Sequence, residues 1–257
     1  MKFPSNINYL FSRKENEKLP DYFNDFLLNN SVGNYIIKDI EELRTGLLLS
    51  DKLLDITDFG AGSRIGGNRQ RKISDIVKHS STPEKYGNLL NKIVRYFEIK
   101  NILEFGTSLG IGTAYLAGNN NIEKIISIDA CENSQNIADK NLKKLQIKNY
   151  QLINDSFDNI LDNQLLKDQK FDLIFIDGNH RGDALIKYYN QLSKKKFGKR
   201  CILIFDDINW SADMFNTWKK ITKNHKNNCI LDIYRMGIIF YAYNELPEGY
   251  YKTELKK

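Results

Sequence analysis

Short apolar runs alternating with helical intervals constrain this chain more than any other feature of its sequence. The runs are Ile102–Phe105, Lys124–Ile128, Tyr150–Ile153, Phe171–Ile176 and Cys201–Phe205. Five strand-length segments separated by helical spacing predict a doubly wound α/β sheet with parallel strands. The alternation stops near the end of the chain. Cys229–Tyr234 and Gly237–Tyr243 are separated only by Arg235-Met236, too short a link for a right-handed parallel crossover. The sheet is therefore expected to be mostly parallel, with an antiparallel last strand.

Upstream of the sheet the period changes. Ile36, Ile40, Leu43 and Leu47 recur at helical spacing, as do Ile73, Ile76 and Val77, so residues 1–80 read as an N-terminal helical extension. Between these stripes the segment Asp58-Phe59-Gly60-Ala61-Gly62-Ser63-Arg64 breaks the helices. It suits either a tight connector or a lid that brings Arg64 to an anion. Thr82-Pro83-Glu84 marks a helix start, with the hydroxyl as cap and proline in the first helical position. Tyr86, Leu89, Leu90, Ile93, Val94 and Phe97 form the buried face of that helix. With 257 residues the chain accommodates this extension and one α/β domain over residues 81–257.

Composition excludes some classes of function. No apolar run reaches the roughly 20 residues that cross a bilayer, and Met1-Lys2-Phe3-Pro4-Ser5-Asn6 opens no signal core. A cytoplasmic location is expected, with no membrane partner. The net charge of +6 raises nucleic acid as a partner, but the lysines are dispersed. Lys140, Lys143, Lys144 and Lys148, and then Lys194, Lys195 and Lys196, fit solvated helix faces and a loop, so nucleic acid is not the expected partner. Cys131, Cys201 and Cys229 include no CxxC pair and read as reduced structural thiols.

The chemistry begins at Glu104-Phe105-Gly106-Thr107-Ser108-Leu109-Gly110. Gly106 and Gly110 allow a tight turn and a close backbone approach to a ligand at the strand's carboxyl end. The spacing E-x-G-x-x-x-G differs from the G-x-G-x-x-G of dinucleotide binders, which disfavours a pyrophosphate cradle. Asp129 ends the second run beside this loop, where its two oxygens can accept both hydroxyls of a ribose. After the third run, Asp155 in Asn154-Asp155-Ser156 is either a ligand contact or part of a helix cap.

Over roughly residues 83–243 the chain resembles the class I S-adenosylmethionine-dependent methyltransferases, whose first motif the glycine loop matches. The resemblance implies a Rossmann-like fold. It also implies that the loop holds the methionine part of S-adenosylmethionine, with Glu104, Gly106, Thr107, Gly110, Asp129, Asp155 and Asp177 as cofactor-binding residues.

The fourth run ends in Asp177-Gly178-Asn179-His180 and the fifth in Asp206-Asp207-Ile208-Asn209-Trp210, which brings three carboxylates to one sheet edge. Carboxylates that converge repel one another unless a cation or a proton intervenes. Hard oxygen ligands suit Mg²⁺, with calcium or manganese as substitutes. The pattern is similar to the catechol and caffeoyl-coenzyme A O-methyltransferases, which implies Asp177, Asp206 and Asp207 as metal ligands. Their Asp-Asn pair is replaced here by Asp206-Asp207. Asp177-Gly178-Asn179-His180 resembles the Asp-Gly-x-His segment of macrolide-sugar O-methyltransferases and implies His180 as general base, with Asp177 as its catalytic companion. An imidazole titrating near neutrality suits that role.

His79 and His225 sit in polar contexts and read as surface residues. Trp210 is a candidate acceptor wall or a core aromatic. Ser211 is expected to cap a helix whose apolar face includes Met214, Trp218 and Ile221. The expected reaction is O-methylation of a small hydroxylated acceptor, and a homodimer is one assembly open to the chain. A nicotinamide-dependent oxidoreductase and a nucleic-acid methyltransferase are the alternatives. Each lacks its own signature in this sequence.

Overall fold

A computed structural model describes residues 35–56, 70–119, 121–161, 166 and 168–255. The Asp58–Arg64 segment lies outside the described residues. The N-terminal part contributes α1 (Tyr35–Leu48), β1 (Leu53–Asp55), β2 (Gln70–Lys72), α2 (Ile73–Ser80) and α3 (Glu84–Tyr96). After α1 the chain leaves the helical stripe. Leu53–Asp55 and Gln70–Lys72 pair as a two-stranded antiparallel sheet, so the extension is not helical throughout. Ile40, Leu43, Ile73, Ile76 and Val77 are buried as their period requires. The Arg44 guanidinium donates to the Thr82 carbonyl, and the Tyr115 hydroxyl donates to Glu41. These bonds tie α1 to the domain behind it.

That domain is built from β3 (Asn101–Phe105), α4 (Ile111–Ala117), β4 (Lys124–Asp129), α5 (Glu132–Lys144), β5 (Tyr150–Asn154) and α6 (Phe157–Leu161). It continues with β6 (Phe171–Ile176), α7 (Gly182–Lys195), β7 (Phe197–Phe205), α8 (Ala212–Lys223), β8 (Cys229–Ile233), β9 (Met236–Tyr241) and β10 (Gly249–Lys252). The eight strands lie in the order β10-β8-β9-β7-β6-β3-β4-β5. All neighbouring pairs are parallel except those made by β9, which runs antiparallel to both β7 and β8.

The strands read as unbroken apolar runs because both faces of the sheet are covered. Successive side chains point to opposite faces. Ile102, Ile125, Leu173, Ile202 and Ile238 join one core with α1 to α4. Leu103, Ile126, Ile174, Leu203 and Ile239 join the other with α6 to α8. The order β5-β4-β3 followed by β6-β7 places the break in winding between β3 and β6, where open α/β sheets bind their ligands.

Several local expectations change. Pro83 is the residue flanking α3, with no side-chain cap, instead of the first helical residue. Ser211 caps α8 as its position predicts, accepting from Met214 N at 3.1 Å. Lys196 is buried, because it sits in the tight α7–β7 junction, where its carbonyl accepts from Phe171 N. His225 is also buried. Its Nε2 meets the Tyr189 hydroxyl at 2.8 Å and its Nδ1 meets the Asn228 side chain at 3.0 Å, so it is a core residue and not a surface one. Burial lowers its pKa. The edge strand β10 extends the sheet beyond the expected hairpin. The Tyr250 hydroxyl donates to buried Asp232 at 2.6 Å and accepts from the Trp218 indole at 3.0 Å, which pins the strand in place. The three cysteines are buried and unbridged. No described helix is long and apolar enough to cross a membrane.

Candidate active site

The glycine loop joins β3 to α4 at the carboxyl edge of the sheet. Gly106 has φ +109°, and a Cβ there would lie 1.9 Å from the Asp177 carbonyl oxygen. A side chain would thus collide with the backbone of the neighbouring loop. Gly110 has φ +79° and faces Ala138 on α5. Three non-glycine residues of the same edge also adopt left-handed conformations: Ser108 at +48°, Asn179 at +50° and Asp207 at +52°. They lie in the loops after β3, β6 and β7. Clustered strain of this kind is typical of ligand sites.

Glu104 is wholly buried at the loop's base. Its Oε2 accepts from the Thr113 hydroxyl at 2.5 Å and the Ser127 hydroxyl at 2.6 Å, while its Oε1 is buried without a hydrogen-bond partner. Burial pushes the carboxyl up to about 7, against the two hydroxyls that hold it down. Thr107 turns inward, its hydroxyl 2.6 Å from that of Ser127, so its side chain belongs to this buried network. Asp129 grips the loop: Oδ2 accepts from Ser108 N at 2.8 Å and Oδ1 from Cys131 N at 2.8 Å. Asp155 is partly exposed, and its Oδ1 accepts from Ser156 N at 2.7 Å and from the Asn159 amide at 3.0 Å. Ser156 Oγ accepts from Asn159 N at 3.2 Å. That part of the site is organised as the start of α6.

These features fit an S-adenosylmethionine-type ligand. The cradle exists only because Gly106 lacks a Cβ, and the orphaned Glu104 oxygen lacks the kind of donor that an α-ammonium group carries.

The three acidic strand ends do meet. Burial and then the adjacent Asp206 drive the Asp177 carboxyl well above the usual carboxylate range. Asp206 itself is buried and is held in a fork by Arg235, whose Nε lies 2.8 and 3.1 Å from its two oxygens and whose Nη2 lies 2.6 Å from Oδ2. Arg235 Nε is 3.6 Å from Asp207 Oδ1. Burial works against the guanidinium's charge, yet the hydrogen bonds and charge of Asp206 hold its pKa above the ordinary value. The cation that the convergent carboxylates require is therefore a side chain of this protein. The donor set does not fit a divalent ion. Both oxygens of Asp206 are committed to the fork, and among the described residues no group of three or more His, Cys, Asp or Glu side chains is arranged to hold a metal.

Arg235 was not singled out in the sequence, where it reads only as part of the turn between two strand runs. Counting charge at the carboxyl edge points toward it, since three carboxylates predict a cation nearby.

His180 stands at the outer side of the cluster. Its Nδ1 is 3.8 Å from Asp207 Oδ2, and its ring centroid is 5.7 Å from that of Trp210. His180 and Trp210 are both partly exposed. Trp210 also packs on the core beneath it, so it serves both as core and as a wall beside the imidazole. Asn179 is turned away, its amide donating to the Tyr188 hydroxyl at 2.8 Å.

Residues 103–208 match the family model described as "Methyltransferase domain". No curated protein matches the chain. Among solved structures, the Podospora anserina methyltransferase PaMTH1, bound to SAH, is 15% identical, with 86% of this chain and 94% of that one covered at a TM-score of 0.58. An O-methyltransferase from Bacillus cereus in complex with SAH is 16% identical, with 86% and 95% covered at a TM-score of 0.56. The O-methyltransferase TomG from Streptomyces achromogenes, in complex with SAM, is 14% identical over 63% of this chain and 82% of that one, at a TM-score of 0.52. At such identities the likeness establishes the fold, and the matched residues include the ends of β3 to β7 but not Trp210 or Arg235. With its glycine loop and its reversed penultimate sheet strand, the chain has the Rossmann-like architecture of these methyltransferase structures, and residues 103–208 within it match a methyltransferase domain.

Proposed function

We propose that this methyltransferase transfers a methyl group from S-adenosylmethionine to a hydroxyl of a small acceptor, with His180 as the general base. The observation that carries the reading is the meeting of His180, Asp207 and Trp210 at the same carboxyl edge as the Gly106–Gly110 loop.

Gly106 and Gly110 open the backbone to the methionine part of the cofactor. Glu104 offers its unpartnered Oε1 to the ammonium group, and Asp129, at the end of β4 beside the loop, is the acceptor for the ribose hydroxyls. Asp155 lies where the adenine is expected, although Ser156 and Asn159 already engage it. The bound cofactor supplies a methyl group on a sulfonium, which needs no further activation. What remains is to position an oxygen nucleophile in line, exclude water and remove a proton.

His180 removes that proton. The neutral imidazole accepts it from the acceptor hydroxyl as the oxygen attacks, and the imidazolium so formed is stabilised by the Asp207 carboxylate 3.8 Å away. Trp210 gives the acceptor a flat apolar wall next to the base. Asp177 lies between the cofactor loop and this dyad, and its raised pKa favours the protonated form, able to donate to a substrate oxygen. No step is routed through a metal.

The experiment is a screen of hydroxylated metabolites, sugars and phenols for S-adenosylmethionine-dependent methylation. A product methylated on oxygen, formed by the wild type and lost in His180→Ala, is the expected result. Methylation confined to nucleic acid, or activity with a nicotinamide cofactor instead, would remove the proposal.

A further inference from the structure

We infer that Arg235 is a built-in cation which takes the place of a divalent metal at this site, so that methyl transfer here is independent of metal. The inference rests on the methyltransferase reading above and adds to it how the acidic cluster is neutralised and positioned.

The argument is geometric. Asp177, Asp206 and Asp207 come from the ends of two adjacent parallel strands, β6 and β7, which the sheet forces into one small volume. Two of these carboxylates contact a single guanidinium, with separations of 2.6 to 3.1 Å to Asp206 and 3.6 Å to Asp207. A divalent ion takes its oxygen ligands at about 2.0–2.6 Å. To bind the same oxygens it would have to displace the guanidinium or sit within a few ångströms of a like charge, in a partly buried region where screening is weak.

Displacement is opposed on both sides of the residue. The Arg235 backbone is fixed, its carbonyl accepting from Ile208 N at 3.0 Å and its N–H donating to Ile233 O at 2.8 Å. Its guanidinium carbon lies 5.8 Å from the centre of the Tyr86 ring on α3, near enough for a cation–π contact. Arginine suits this duty better than lysine because its planar fork meets a carboxylate with two parallel bonds and remains charged at any working pH.

Arg235 is thus a positioning residue. It neutralises Asp206, draws on one oxygen of Asp207 and leaves the other facing His180. The β8–β9 hairpin turn, which the fold needs in order to insert the reversed strand, delivers this charge to the catalytic edge.

The test is metal binding, read by the electron paramagnetic resonance of free Mn²⁺, with S-adenosylhomocysteine affinity measured separately by calorimetry. Wild type is expected to show no saturable Mn²⁺ site up to millimolar concentration. Arg235→Gln should expose the carboxylates and bind Mn²⁺ at least tenfold more tightly than wild type, and adding Asp206→Asn should abolish that gain. Arg235→Lys, which keeps the charge, should remain without Mn²⁺ binding. A merely structural arginine would not create a metal site when removed.

The inference is overturned if wild type binds one Mn²⁺ at submillimolar concentration and Asp206→Asn removes it. It is also overturned if folded Arg235→Gln, still binding S-adenosylhomocysteine, gains no Mn²⁺ affinity. Should Arg235→Gln fail to fold, the wild-type and Arg235→Lys titrations decide the matter. Absence of S-adenosylhomocysteine binding in wild type would instead refute the cofactor reading, and the Mn²⁺ result would still stand or fall by itself.

Discussion

Replacing Glu104 by glutamine probes the cofactor loop through its stability. The carboxyl is wholly buried, one of its oxygens has no partner, and its pKa in the folded chain is about 7 against an ordinary 4.5. Between these values the folded protein holds a proton that the unfolded chain releases. The resulting stabilisation is complete below pH 4.5 and is lost as pH rises through about 7. A displacement of this size corresponds to at most about 3 kcal/mol. For a chain of this length that amounts to roughly 6–12 °C in Tm, at about 2–4 °C per kcal/mol. Glu104→Gln cannot ionise, so its Tm relative to wild type should rise by about that amount between pH 4.5 and pH 8. Differential scanning fluorimetry of the cofactor-free protein across this range is the assay. Contributions from other titrating groups cancel in the difference. Saturating S-adenosylhomocysteine, which carries the same ammonium group, should flatten the wild-type decline by pairing the ionised carboxylate. A Tm difference that stays constant across the whole range would refute the reasoning.

The glycine loop, the aspartate that grips it and the histidine give three further tests. Gly106→Ala should cost roughly 2–4 kcal/mol, from a disfavoured φ and the displacement of Asp177 away from Phe105, and should abolish S-adenosylhomocysteine binding in calorimetry; a variant with wild-type Tm and affinity would show that the loop has room to spare. Asp129→Ala should weaken that binding at least tenfold, since one or two hydrogen bonds to a charged acceptor are worth about 1.5–3 kcal/mol each; unchanged affinity would detach Asp129 from the cofactor. His180→Ala should lower turnover by roughly 10²–10⁴-fold with cofactor affinity nearly unchanged; intact turnover would make His180 a bystander.

The sequence alone determined the layered sheet, because burying a strand on both faces demands an uninterrupted apolar run and each crossover demands a helix-length interval. It also located the glycine loop, Asp129, the acidic strand ends and His180, since a parallel sheet places all such ends at one edge. What it left undecided were contacts between segments far apart in the chain. His225 looks polar in its local context, yet Tyr189 and Asn228 satisfy its ring inside the core. Thr107 sits in a ligand-loop motif, yet Ser127 on the next strand turns its hydroxyl inward. The strand β10 is a short aromatic run whose place depends on a buried Asp232 that only the assembled sheet brings near Tyr250. Local pattern called for a cation or a proton among the carboxylates without saying which, or where it came from. The tertiary structure supplies it from Arg235, 29 residues after Asp206, because inserting the reversed β9 between β7 and β8 returns the hairpin turn to the catalytic edge.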